Sequence, residues 1–260
     1  MNRLTPLPRV MVAPNGARRG KADHPELPVT LSEIVACARA CHEAGAAAIH
    51  AHVRDTEGRH ALDAGLYREL IEEMSLKVPG MAVQITTEAG GRFDPATQRA
   101  LLDAITPEGA SAALREILAD GDREAARRFY HKASEAGIAL QHILYEPAEI
   151  DRLAEEIRAG TIAGGPLQLL FVLGRYTVGE ESDPAGLQPF LAGMAARDIA
   201  ADWALCAFGR SETACLAAAL AAGGRARVGF ENNFFMADGR RARDNAERVA
   251  EIVALPGATD

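Results

Sequence analysis

Two histidines set two residues apart, His50 and His52, close the apolar run Ala47-Ala48-Ile49-His50-Ala51-His52-Val53 and lead into the charged pair Arg54-Asp55. Residues i and i+2 of a β-strand point to one face, so both imidazoles would aim at one point, as two ligands of a metal ion must. A third ligand has to come from elsewhere, and Glu231 in Arg227-Val228-Gly229-Phe230-Glu231-Asn232-Asn233 is the candidate. A His2Glu set with an open fourth position is a common catalytic zinc shell. Spacing alone leaves other readings open: a hydrogen-bonded pair of core histidines, and a Glu231 that caps a helix or sits in solvent. Glu88, Glu116 and Glu146 also fall at expected strand ends, where at least one is a solvated loop acid. His142 reads as a packed core residue, and Arg18 and Arg19 as either loop charges or groups at a site.

Side chains so far apart in sequence need a scaffold that gathers strand ends. The pattern supplies one. Arg9–Ala13 is a short buried strand, and Thr30-Leu31-Ser32-Glu33 is a capping box that opens an Ala-rich helix to about Glu43. After the histidine strand, helices are expected over Asp63–Lys77, Pro95–Ala104, Asp122–Ala136, Ala148–Ala159, Pro184–Ala195, Glu212–Ala222 and Asp244–Leu255. Strands are expected over Ala82–Thr86, Ser111–Glu116 (the weakest), Ile138–Tyr145, Leu167–Leu173, Trp203–Ala207 and Ala226–Phe230. Eight strands alternating with eight helices fit one (β/α)8 TIM barrel over residues 1–260. A doubly wound open sheet is the alternative, but no glycine-rich phosphate fingerprint follows the first strand. In a closed barrel strands 2 and 8 both flank strand 1, so Glu231 would face the histidine pair across one strand. Arg227, sharing strand parity with Glu231, would lie beneath the metal and need a carboxylate or a substrate anion as partner.

A formal charge of -8 gives no basic footprint for nucleic acid or an anionic membrane, and no apolar run reaches the roughly 20 residues of a membrane span. The N-terminus lacks a signal-peptide apolar region, so a cytoplasmic location is expected. Cys37, Cys41, Cys206 and Cys215 do not form a disulfide framework in a chain of this length. Cys37 and Cys41 share a helix face but read as small buried residues, because no second ligand pair accompanies them. Arg240-Arg241-Ala242-Arg243 reads as an exposed face or, second, as a contact for a CoA phosphate.

A succession of short motifs carries a resemblance. Ala13-Pro14-Asn15-Gly16-Ala17, then His24-Pro25-x-x-Pro28-Val29-Thr30, then Ala44-Gly45-Ala46-Ala47 running into His50-x-His52-x-Arg54-Asp55, are followed far downstream by Phe208-Gly209-Arg210 and Arg227–Asn233. In this order they resemble the β-keto acid cleavage enzyme family, whose best-known activity is 3-keto-5-aminohexanoate cleavage. The resemblance implies a zinc-dependent TIM barrel, a homo-oligomer (dimer or tetramer), that condenses a β-keto acid with the co-substrate acetyl-CoA to give acetoacetate and an acyl-CoA. It carries the metal ligands onto His50, His52 and Glu231, the active-site arginine onto Arg227, and a carboxylate-binding hydroxyl onto Thr86. It also implies substrate contacts at Asn15, Arg18 and Asn232. The aminohexanoate enzyme has acids at the positions of Arg18 and Asn232, and a strand-5 acid aligned with Gln141. With Asn232 in place of an acid, the proton carrier falls to Glu88, Glu116 or Glu146, of which Glu116 is the expected one. A cation at Arg18 disfavours an ammonium at the variable end of the substrate, so a β-keto acid with a neutral or anionic tail is expected. Two other readings stay open: a zinc hydrolase, although strand 6 offers no histidine, and a non-catalytic ligand-binding barrel.

Overall fold

Strand β1 (Val10–Val12) pairs in parallel with β2 (Ala48–Ala51) on one side and with the last strand, β8 (Arg225–Val228), on the other. Between them β3 (Ala82–Thr86), β4 (Gly109–Ala113), β5 (Ala139–Leu144), β6 (Leu167–Leu173) and β7 (Ala201–Ala207) follow in chain order, and all eight form a closed parallel barrel. The computed structural model describes residues 2–175, 179 and 181–258. Among these, nine α-helices surround the barrel: α1 (Leu31–Glu43), α2 (Ala64–Lys77), α3 (Pro95–Ala104), α4 (Leu114–Ile117), α5 (Arg123–Glu135), α6 (Glu149–Arg158), α7 (Leu187–Ala196), α8 (Glu212–Ala221) and α9 (Asn245–Val253). The architecture is a (β/α)8 TIM barrel, and the β8–β1 pairing excludes the open sheet. None of these helices is long and apolar enough to cross a membrane.

Local chemistry sets the helix starts. The Thr30 hydroxyl accepts the Glu33 N–H, and the Glu33 carboxylate accepts the N–H groups of Val29 and Thr30, completing the capping box of α1. The carboxylates of Asp63, Asp94, Asp122 and Asp244 each accept the N–H three residues on and so cap α2, α3, α5 and α9.

Strand alternation then divides the residues between two cores. Val10, Val12, Ile49, Val83, Ile85, Leu169, Phe171 and Leu205 join the large cluster shared with the helices. Their strand neighbours form the barrel interior. Met11, Ala48, Ala82 and Ala139 make one apolar layer, plugged by Leu4 from the N-terminal segment. Ala113, Ile143, Leu170, Val172, Ala204 and Cys206 make another. Polar residues also stand in register around the interior: His50 beside Gln84, Ser111 beside Gln141, Gln141 beside Gln168, and Arg227 beside Met11. This polar belt is the platform of the site.

Three expectations need correction. Strand 4 ends at Ala113, and Glu116 lies on the one-turn helix α4 rather than on a strand. That short helix makes nine rather than eight. Strand 8 ends at Val228, so Glu231 is not placed by strand parity. A turn through Gly229, at φ 145°, brings it over the barrel. A Cβ on Gly229 would lie 2.4 Å from the Ala13 carbonyl oxygen, so the turn needs glycine.

Candidate metal centre and cavity

His50 is the last but one residue of β2, with its imidazole inside the barrel, and His52 follows directly after the strand on the same side. Their Nε2 atoms are 3.1 Å apart. Glu231 Oε2 lies 3.7 Å from Nε2 of His50 and 3.6 Å from Nε2 of His52. Three donors on one divalent ion, with bonds of about 2.0–2.1 Å and tetrahedral angles, stand roughly 3.3–3.4 Å from one another. The trio needs only shifts of a few tenths of an ångström to meet that spacing. Glu231 Oε2 is also buried with no hydrogen-bond partner, which is costly for a carboxylate unless a cation is at hand. Among the described residues this is the one group of three or more His, Cys, Asp or Glu side chains gathered closely enough to hold a metal. The residues present therefore fit a metal ion.

Neighbouring groups keep the donors in their ligating forms. Burial, with the charge of Arg227 adding to it, holds His50 down at about 4, and burial holds His52 well below the ordinary histidine value, so both rings are neutral. Burial alone would raise Glu231. Arg227, whose Nη2 donates to Glu231 Oε1 at 3.0 Å, outweighs it with the charges of Arg175 and Arg19 adding, and the carboxyl stays below its usual range. Asn15 fastens the backbone of His52, donating to its carbonyl (2.9 Å) and accepting its N–H (3.3 Å). Gly16, at φ 63°, lets the loop pass close under Glu231, since a Cβ there would sit 2.6 Å from Glu231 Cγ. Arg54, which closes the histidine run, donates to the carbonyls of Ala17, Gly58 and Arg19 and so moulds that loop.

Above the ligands opens a cavity lined by His50, Glu231, Arg227, Thr86 and Glu88 at its base. Tyr145, Ile143, Val172 and Phe208 form its walls, and Arg18, Arg19 and Arg175 lie around it. Four guanidinium groups face two carboxylates, so the cavity favours anions even before a cation binds. Arg227 is buried, and its Nε and Nη1 have no protein acceptor.

The expected site residues divide. His50, His52, Glu231 and Arg227 converge, and Thr86, Arg18 and Asn15 line the same cavity. Thr86 Oγ1 accepts the N–H of Glu88 at 3.0 Å. Asn232 is fully buried and does not line the cavity. Glu116 stands outside it as well, its carboxylate accepting the N–H of Ala89 (2.9 Å) and the amide of Gln98 (2.8 Å). Glu88 is the acid that reaches the site. Its Oε2 is 3.7 Å from His52 Nε2, and burial, with Glu231 and Glu116 nearby, pushes its carboxyl up to about 7. Gln141 lies in the polar belt and donates to the Leu169 carbonyl. His142 packs outward against Tyr130, ring centroids 5.3 Å apart.

Sequence reasoning passed over Arg175, Tyr145 and His60. Nothing in their spacing marks them, and His60 sits in an irregular loop whose approach to His52 appears only in three dimensions.

The chain is similar to known proteins in both sequence and fold. The family model described as beta-keto acid cleavage enzyme matches residues 9–259. The chain is 28% identical over 247 residues to the 3-keto-5-aminohexanoate cleavage enzyme of Fusobacterium nucleatum subsp. nucleatum, covering 92% of this chain and 88% of that protein. It is 26% identical over 258 residues to the 3-oxoadipate:acetyl-CoA acetyltransferase of Cupriavidus necator, covering 95% and 87%. Among solved structures, the apo structure of ObcA superposes with a TM-score of 0.65 at 18% identity, covering 87% of this chain and 61% of that one. That match speaks to fold alone, and this chain spans less than two thirds of that protein.

Proposed function

The chain belongs to the beta-keto acid cleavage enzyme family, and from that premise we propose that it condenses a β-keto acid with acetyl-CoA, releasing acetoacetate and a new acyl-CoA, at a zinc ion held by His50, His52 and Glu231. The observation that carries the reading is the meeting of two imidazole nitrogens and an unpartnered carboxylate oxygen at the base of an arginine-lined cavity. Zinc suits a three-ligand His2Glu set with an open position. A divalent ion bound there supplies Lewis-acid polarisation of the keto group and stabilises the negative charge that develops as the C–C bond breaks.

The protein's own groups do the rest. Arg227 orients Glu231 through Nη2 and offers Nη1 to the substrate's anionic end. Thr86 stands at the cavity base as a further hydrogen-bonding group for the carboxylate. Glu88 is the acid we assign to proton transfer, because it lines the cavity while Glu116 is held by Ala89 and Gln98. Glu116 instead anchors the segment that follows Glu88.

For the substrate we propose a β-keto acid with an anionic tail. Arg18, Arg19 and Arg175 line the cavity, and an ammonium group would meet their charge. One relative is named for 3-oxoadipate, a keto diacid. Incubation of zinc-loaded protein with acetyl-CoA and a panel of neutral, anionic and amino-bearing β-keto acids, assayed for acetoacetate, tests the proposal. The highest kcat/KM is expected on a keto diacid. No acetoacetate from any member would overturn the reaction, and preference for the amino-bearing acid would overturn the substrate class.

A further inference from the structure

His60 lies on the loop after β2, buried, with its Nε2 2.8 Å from the carbonyl oxygen of Glu88. A carbonyl only accepts, so Nε2 is the nitrogen of His60 that carries the proton, and Nδ1 is left with a lone pair. That Nδ1 stands 3.4 Å from Nδ1 of His52, which must therefore be the donor. His52 is thus held with its proton on Nδ1 and a lone pair on Nε2, the atom that faces His50 and Glu231.

His50 reaches the same state by a separate route. Gln141 donates to the Leu169 carbonyl at 3.2 Å, which leaves its Oε1 to accept from Gln84 Nε2 at 3.1 Å. Gln84 Oε1 then accepts from His50 Nδ1 at 2.8 Å. Each chain ends on a backbone carbonyl, and each is buried, so neither direction can reverse.

We propose that His60 is a positioning residue of the metal centre: it locks His52 in the tautomer that presents an Nε2 lone pair, and joins that lock to the backbone of Glu88. The inference rests on the metal reading of His50, His52 and Glu231. His60 is not itself in the ligand group, since the nitrogen it turns to His52 faces Nδ1 and not the ligating side. A ligating histidine whose other nitrogen loses its acceptor binds metal about 10–100-fold more weakly.

Two measurements test this. Long-range ¹H–¹⁵N correlation on metal-stripped, ¹⁵N-histidine-labelled wild-type protein should find the His52 proton on Nδ1 and the His60 proton on Nε2. Competition titration with zinc and cobalt(II) should then find His60→Leu weaker by about 10–100-fold, with His60→Gln, which keeps an acceptor, recovering most of the loss. A His52 proton on Nε2, or equal affinity in wild type and His60→Leu, overturns the proposal while wild type still binds metal. Failure of wild type to bind either metal overturns the metal reading itself. Should His60→Leu not fold, the tautomer spectrum of wild type decides alone.

Discussion

Arg248→Met should be strongly destabilising although it lies outside the metal centre. Arg248 on α9 and Glu212 at the start of α8 are both fully buried, with Nη2 and Oε2 2.6 Å apart. Arg248 also bonds Glu251 and the Thr213 hydroxyl, while Glu212 accepts the Gly229 N–H at 3.3 Å and the Asn233 amide at 3.3 Å. The pair therefore backs the turn that carries Glu231. Burial pushes the Glu212 carboxyl up and Arg248 brings it partly back. Methionine keeps the apolar stem but leaves the acid alone in the core, at a cost of about 3–5 kcal/mol. An unfolding entropy of about 2.1 cal/mol/K per residue amounts to roughly 0.55 kcal/mol/K for a chain of this size, so about 4 kcal/mol lowers Tm by about 7 °C. Thermal melting followed by circular dichroism, on chelator-treated protein so that bound metal adds nothing, reads this directly. The double variant Glu212→Leu/Arg248→Met should regain much of the loss, because no charge is then stranded. A Tm drop of less than about 2 °C in the single variant, or a double variant as unstable as the summed singles, refutes the reasoning.

Gly16→Ala should cut metal affinity by about tenfold or more with the fold intact, since the new Cβ would displace Glu231 Cγ from 2.6 Å; an unchanged zinc titration counts against it. His142 has a folded value near 4, lowered by burial, against 6.5 when exposed. The unfolded chain therefore binds a proton that the folded one refuses, and its contribution is complete above about pH 6.5 and lost as pH falls toward 4. Urea unfolding at pH 7 and 4.5 should give His142→Leu a smaller acid loss than wild type, by on the order of 2–3 kcal/mol; parallel curves for the two proteins would exclude this. Arg18→Glu should raise kcat/KM for an amino-bearing β-keto acid relative to an anionic one. If wild type already prefers the amino substrate and the ratio does not move, Arg18 is not the selector.

The barrel was legible because its outward strand faces are written in Val, Ile, Leu and Phe, and its helices begin at side chains that cap. Thr30, Asp63, Asp94, Asp122 and Asp244 mark five starts to within a residue or so. Strand 4 was harder to bound for a physical reason. Gly109-Ala-Ser-Ala-Ala has no β-branched or aromatic residue, so its strand state is imposed by pairing with β3 and β5 and not by local preference. The helical turn that follows removes Glu116 from the barrel mouth, and the expected role of that acid rested on a strand one turn too long.

The site divides along the same physical line. His50 and His52 are readable from spacing because their i, i+2 separation at the end of β2 sets them on one side, and Glu231 is readable because the β8–β1–β2 adjacency brings it across. What spacing does not encode is the support behind them. Gln84 and Gln141 sit on strands that read as buried, where a glutamine would be expected to cost free energy. That cost is offset because each amide meets a partner: His50 and Gln141 for Gln84, Gln84 and Leu169 for Gln141. His60 and Glu88 come from loops, where residue type carries no directional information until the chain is folded. The two kinds of residue are nonetheless one structure, because the Glu88 carbonyl that accepts the His60 N–H belongs to the residue whose side chain faces the cavity. A shift of that segment changes the hydrogen bond behind His52 and the acid in front of it together.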